Sequence, residues 1–199
     1  MPLPIVHLNG FPGTGKLTIA RKLVDLLQPF QGKLVHNHLL IDPAGAILPR
    51  TSTDYQPLWY AIRAVIFDAL SVSQDTFNSA FVFTDFQSDD SIGRGVMAEY
   101  CAMAARRGCT FVPVTVTCTK EENLRRLVSS ERALHGKLTD VDLVARIRDN
   151  SVVYQWPGNS NHLELDLTGL DADTSAGIIF RHLMMVCKDL SESSEDKTS

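Results

Sequence analysis

Residues 9–23 read NGFPGTGKLTIARKL, a glycine-rich run that closes on a single lysine, Lys16, where an apolar-periodic stretch begins. Gly10, Gly13 and Gly15 let backbone N–H groups turn inward around an anion, and a helix N-terminus behind them adds positive potential. An ammonium at that point suits the outer phosphates of a nucleoside triphosphate. The usual spelling, G-x-x-x-x-G-K-[ST], has a hydroxyl directly after the lysine. Here Leu17 stands in that place and Thr18 follows it. The run is therefore either a broken motif or a variant with its hydroxyl one position later.

Three further groups could do chemistry with a bound triphosphate. The stretch AFVFTD is apolar until Thr84 and ends on Asp85. A strand-terminal carboxylate beside a phosphate loop suits the magnesium shell around the phosphates. Alone, such an aspartate is as readily a turn former. The stretch VHNH brings His36, Asn37 and His38 together, with Asp42 one helical turn beyond. A histidine can take a hydroxyl proton near neutral pH, and it can equally bind an acceptor or sit satisfied in a core. Residues 120–149 carry Arg125, Arg126, Arg132, Lys137, Arg146 and Arg148, in a charge run that would ordinarily be a solvated helical face.

These groups need a frame. Short apolar runs at 4–10, 33–38, 79–86, 110–118 and 162–167 read as strands, with Pro113 an awkward residue for a central one. Helical spacing appears between them. Leu17, Ala20, Val24 and Leu27 form one face, and Leu58, Ile62, Val65, Ile66 and Ala69 another. Residues 92–108 end on Gly108 with Arg106 and Arg107 near the negative helix end, residues 120–150 are helical with a break near 133–136, and 171–190 form a last helix. Five buried strands alternating with helices imply an α/β fold, a parallel sheet covered on both faces with ligands at the carboxyl ends of its strands. A single domain is expected over residues 1–190, with a disordered polar tail at 191–199.

Composition excludes several classes. A net charge of -4 gives no electrostatic reason for a nucleic-acid or membrane partner. Cys101, Cys109, Cys118 and Cys187 form no C-x-x-C pair, so neither a zinc site nor a disulfide framework is expected. With no basic region leading an apolar run at the start and no apolar stretch of bilayer length, a cytoplasmic setting is the expectation.

The spelling GFPGTGKLT resembles the phosphate loop of adenylate kinases and related small P-loop kinases, G-x-P-G-x-G-K-x-T. By that resemblance Gly10, Pro12, Gly13, Thr14, Gly15, Lys16, Leu17 and Thr18 hold the nucleotide. Thr18 takes the hydroxyl role, and Leu17 gives its backbone N–H while its side chain packs inward. HNHLLIDPA, FTDFQSDD, ENLRRLVSSER and GKLTD widen the resemblance to stand-alone P-loop kinase-like proteins often labelled "AAA domain", related to chloramphenicol phosphotransferase, zeta-toxin-like and gluconate kinases. It implies a three-layer α/β/α fold, a five-stranded parallel sheet of order 2-3-1-4-5, and a helical lid near 120–150. It makes Arg126, Arg132 and Arg146 the lid cations that neutralise the transferred phosphoryl, with Lys137 near a fourth. Arg125 and Arg148 are left to the solvated face.

Relatives acting on nucleoside monophosphates carry D-G-F-P-R after the third strand. Here the stretch is DFQSDD. The arginine is missing, and Asp89 and Asp90 would repel a phosphate, which favours a neutral or cationic hydroxyl acceptor. His38 is the preferred base, with Asp42 or Asp85 as alternatives; Asn37, His38, Asp42 and Arg50 are expected to bind the acceptor, and Tyr55 and Trp59 are further contacts. The function expected is Mg²⁺-dependent transfer of the γ-phosphoryl of ATP to a small-molecule hydroxyl. A nucleotide-binding switch or scaffold with weak ATPase, or a polynucleotide 5′-hydroxyl kinase, would be the alternatives, the latter disfavoured by the acidic balance.

Overall fold

The computed structural model describes residues 1–127 and 141–190. Its elements run β1 (Ile5–Asn9), α1 (Lys16–Leu26), β2 (Lys33–His36), α2 (His38–Ile47), α3 (Tyr55–Val72), β3 (Phe81–Asp85), α4 (Ser91–Arg107), β4 (Phe111–Thr117), α5 (Lys120–Leu127), α6 (Val141–Asn150), β5 (Leu163–Asp166) and α7 (Ala172–Val186). All strand pairs are parallel, and the sheet order is β2-β3-β1-β4-β5. Arg132, Lys137 and the expected tail lie outside the described residues. Among the described residues no helix is long and apolar enough to cross a membrane.

Side chains alternate across the pleat, so each strand feeds two cores. Val6, Leu8, Val82, Val112, Val114 and Val116 pack toward α1 and α7, where Ile19, Leu23, Ile179 and Leu183 meet them. Ile5, Phe81 and Phe83 pack the other way, against Phe67 of α3 and Val96, Met97 and Tyr100 of α4. Burial on both faces explains why these strands read as continuous apolar runs rather than alternating ones.

Pro113 does sit in an inner strand. It pairs with His7 in register, but pairing to β5 opens one residue later, at Val114↔Leu163, so its missing N–H is tolerated at the mouth of that ladder.

Three sequence expectations shift. The second strand stops at His36, and His38 opens a helix instead of ending the strand. Leu17 is half-buried on a cavity wall, while the buried face of α1 is Ile19, Ala20 and Leu23. On α3 the inward face is Tyr55, Arg63, Phe67 and Leu70, and Val65 is 70% exposed. That face carries a charge, so a count of apolar residues alone places the stripe about one residue off.

Candidate active site

The loop between β1 and α1 is set by two left-handed glycines. Gly13 has φ +92°, and a Cβ there would lie 2.6 Å from the Asn123 amide nitrogen; Gly15, at φ +98°, is the residue that turns the chain into α1. An L side chain would strain both positions. Lys16 curls back over this turn, donating from Nζ to the Gly10 carbonyl at 2.5 Å and the Phe11 carbonyl at 2.8 Å. Its ammonium is thus held over the loop by carbonyls that a phosphate group would outcompete for charge.

The loop is braced from outside by residues that sequence reading placed elsewhere. Arg126 donates from Nη1 to the Thr14 carbonyl (2.9 Å), from Nη2 to the Leu167 and Leu170 carbonyls (2.9 and 3.3 Å), and from Nε to Glu122. With each of its nitrogens engaged, Arg126 ties the loop to the end of β5. Arg148, expected on a solvated face, instead reaches Asn123 and the Cys118 carbonyl (2.9 and 3.0 Å) and lies 4.8 Å over the Phe11 ring. Asn123, fully buried, passes that support to the Pro12 carbonyl at 2.9 Å. A polar residue one turn into α5 is the only sequence signal for this brace. Arg125 pairs with Glu122 and is 72% exposed, and with Arg126 it borders the cavity described below. Both guanidinium contacts pull the Glu122 carboxyl down to about 2.

Asp85 ends β3 opposite Asn9, the last residue of β1. It is 3% exposed and accepts hydrogen bonds from the Gln87 amide (2.6 Å) and the Phe86 N–H (2.7 Å). Burial pushes its pKa up to about 6 against the pull of those bonds and of Lys16 and Arg63. Asn9 locks the two strand ends together, its Oδ1 accepting from the N–H groups of Gly10 and Gln87 and its Nδ2 donating to the Gln87 carbonyl. Beneath them His7 lies fully buried with its ring 4.4 Å from that of Tyr100, and desolvation, aided by Lys16, drives its pKa down to about 3.

A cavity of about 1150 Å³ opens above the carboxyl ends of β1, β2 and β3. Lys16, Leu17, Thr18 and Asp85 line one side, and His36, Asn37, His38, Arg50 and Trp59 the other. Arg21 of α1 also reaches it, as do Leu143 and Ile147 of α6. Asp42 is not on its wall but holds His38, Nδ1 to Oδ1 at 2.9 Å. Tyr55, only 4% exposed, lines the cavity beside Arg50 and Trp59. Arg146 is exposed and does not border the cavity.

The expectation that Asp89 and Asp90 repel an anionic acceptor does not hold. Asp89 pairs with Arg94 at 2.6 Å, and Asp90 caps α4 through the Gly93 N–H at 2.8 Å; neither lines the cavity. Both carboxyls are pulled below the usual range by those bonds.

Thr18 and Asp85 supply one hydroxyl and one carboxylate. That set suits a magnesium ion that keeps several waters and arrives on phosphates, and it is too small to hold one by itself. Among the described residues no cluster of three or more His, Cys, Asp or Glu side chains forms a metal site.

No protein-family model and no curated protein matches this sequence. Solved structures do match in fold. A gluconokinase from Sinorhizobium meliloti aligns over 97% of this chain and 98% of its own at 14% identity and TM-score 0.60. The tunicamycin resistance protein of Deinococcus radiodurans aligns over 90% and 95% at 21% identity and TM-score 0.59. The APS kinase of Mycobacterium tuberculosis, solved with AMPPNP and APS, aligns over 92% and 99% at 19% identity and TM-score 0.57. The chain has the three-layer fold of the P-loop kinases, with the sheet order that the resemblance implied.

Proposed function

We propose that this protein is a P-loop phosphotransferase moving the γ-phosphoryl of ATP to the hydroxyl of a small molecule. The observation that carries this is the single cavity of about 1150 Å³ shared by the Lys16 loop and the wall bearing His36, Asn37 and His38. A space of that size takes a nucleotide and a second compound together. APS kinase, of the same fold, was solved with AMPPNP and APS both bound.

In this reading the loop amides and Lys16 bind the triphosphate, with Lys16 exchanging the Gly10 and Phe11 carbonyls for phosphate oxygens. Thr18 and Asp85 would hold Mg²⁺, which offsets charge on the outer phosphates. The Asp42 contact fixes His38 with Nδ1 as donor, which leaves the Nε2 lone pair to receive a proton. The acceptor hydroxyl oxygen bonds to the γ-phosphorus, the bond to the bridging oxygen breaks with its electron pair leaving on ADP, and the hydroxyl proton passes to His38. Asn37 and Arg50 orient the acceptor. Arg126 acts on the transferred group indirectly, by holding the loop. Arg146 stands off the cavity wall, and the lid role that the resemblance gives Arg132 falls outside the described residues.

The test is an acceptor screen with ATP and Mg²⁺, read by mass spectrometry as new phosphorylated product. The reading expects product with at least one hydroxyl compound and none on omitting Mg²⁺. ATP binding with no product across sugars, polyols, hydroxy acids, nucleosides and antibiotics would sink it in favour of a nucleotide-binding switch.

A further inference from the structure

At the proposed acceptor end, among the described residues, buried hydrogen-bond donors stand without a partner. Arg63 is 3% exposed, and its Nε and Nη2 grip Glu99 at 2.5 and 2.9 Å, but Nη1 is buried without a hydrogen-bond partner among the described residues. One helical turn earlier, Trp59 stacks under this guanidinium at 4.6 Å, and its indole Nε1 is likewise buried and unpartnered. Trp59 lines the main cavity, and a smaller recess that shares Gln56, Trp59 and Ile92 with it is lined by Arg63 and Glu99. Orphaned buried donors are rare in folded proteins, because each forfeits a bond to water. Two of them on one helical face, beside the proposed acceptor wall, mark a place for a ligand's oxygens.

The chemistry of the pair selects among ligands. Guanidinium and indole nitrogens donate only, so they match a group that accepts only. Glu99 already neutralises the Arg63 charge, so the open Nη1 offers hydrogen bonds rather than net charge, which suits a delocalised monoanion and disfavours a dianion. A planar carboxylate meets both conditions and fits the free edge of a guanidinium. No carboxylate of the protein competes from the following loop, since Asp89 and Asp90 are engaged with Arg94 and the α4 N-terminus.

Resting on the phosphotransferase reading, we propose that the acceptor is a hydroxy acid whose carboxylate is bound by Arg63 Nη1 and Trp59 Nε1 while its hydroxyl faces His38. The donors are already out of water, so an entering carboxylate gains their bonds without desolvating them again. This reverses the sign of acceptor charge that the sequence alone suggests.

The test pairs acids with neutral counterparts, D-gluconate with D-glucose and D-glycerate with glycerol, and includes D-glucose 6-phosphate as the dianion. Transfer is read by product mass, and binding separately by thermal shift with AMPPNP present. The expected result is at least tenfold higher kcat/KM for an acid than for its neutral partner. Arg63→Lys, which keeps charge but loses the planar fork, should raise KM for that acid about tenfold with ATP affinity unchanged. Trp59→Phe, which keeps the ring and loses only the N–H, should raise it a few-fold. Arg63→Met with Glu99→Leu removes the ion pair as a unit and guards against misfolding in the single variant. Neutral acceptors used as well as acids, and equally well by Arg63→Lys, would overturn the carboxylate subsite while leaving the phosphotransferase intact. A preference for D-glucose 6-phosphate would also overturn it. Carboxylate-dependent thermal shifts lost in Arg63→Lys, with no product from any acceptor, would retain the subsite and fail the kinase reading instead.

Discussion

The two ends of the cavity are built on opposite plans. At the proposed nucleotide end polar groups are cross-tied within the protein: Lys16 to the loop carbonyls, Arg126 to Thr14 and β5, Asn123 to Pro12, and Arg148 to Asn123. At the proposed acceptor end Asn37 Oδ1, Trp59 Nε1 and Arg63 Nη1 are buried with no hydrogen-bond partner among the described residues. A cross-tied loop holds its shape before any ligand arrives, and so it would offer one geometry to every triphosphate. A wall with unmet donors and acceptors is shaped for the oxygens and protons of one compound, because each unmet group penalises a ligand that cannot meet it. Generic chemistry is rigid here, and specificity is left open.

If that contrast is right, the largest loss comes from the nucleotide end. Lys16→Ala should lower turnover roughly 1000-fold, on the scale of lost phosphate stabilisation, while the melting temperature stays near wild type. Isothermal titration with AMPPNP and a turnover assay check it; wild-type affinity and turnover together would break the loop assignment. At the acceptor end His38→Ala should cost roughly 100-fold in kcat with ATP affinity kept, and Asp42→Asn less, because Asp42 only orients the ring. Steady-state kinetics on an identified acceptor decide this, and an unchanged kcat would move the base to Asp85.

A smaller effect sharpens the idea of a braced loop. Arg148→Leu strands Asn123 Oδ1 and the Cys118 carbonyl, so about 1–3 kcal/mol of stability should go, with a several-fold weaker Kd for ATP and kcat little changed. Urea unfolding and nucleotide titration measure both, and a kcat defect at normal affinity would make Arg148 part of the chemistry.

The smallest effect is a pair of opposed pH dependences beneath the loop. His7, lowered from 6.5 to about 3, contributes stability that is present above pH 6.5 and lost as pH falls toward 3. Asp85, raised from 3.8 to about 6, contributes stability present below pH 3.8 and lost as pH rises through 6. His7→Phe should therefore flatten the acid loss of stability, and Asp85→Asn should steepen it. Urea midpoints at pH 4 and pH 7 report the two slopes, and a shift of the same sign in both variants would refute the assignment.

Sheet and loop were legible for local reasons. Runs such as IVHLN and FVFTD are short and continuously apolar, which is what burial on both faces demands, and the glycines of GFPGTGK sit where the backbone must take a positive φ. Those constraints act within a few residues of chain and leave their mark in its spelling. Arg63, Asn123 and Arg148 left no such mark. Each is a polar side chain on a helix, and nothing local separates one that faces water from one that faces inward.

By itself the sequence determined an alternating α/β chain, a glycine loop closing on Lys16 at a helix start and a carboxylate at the end of the third strand, because strand burial and loop geometry restrict residue type directly. Only the tertiary structure decided which charges matter. It turned Asp89 and Asp90 away from the cavity, put Arg126 and Arg148 to work as ties, and buried Arg63 beside Trp59 with a donor to spare. The reason is physical. A charge is acceptable anywhere its partners wait, and Arg63 finds its carboxylate 36 residues away while Arg126 reaches the Thr14 carbonyl 112 residues away, distances that only packing can close.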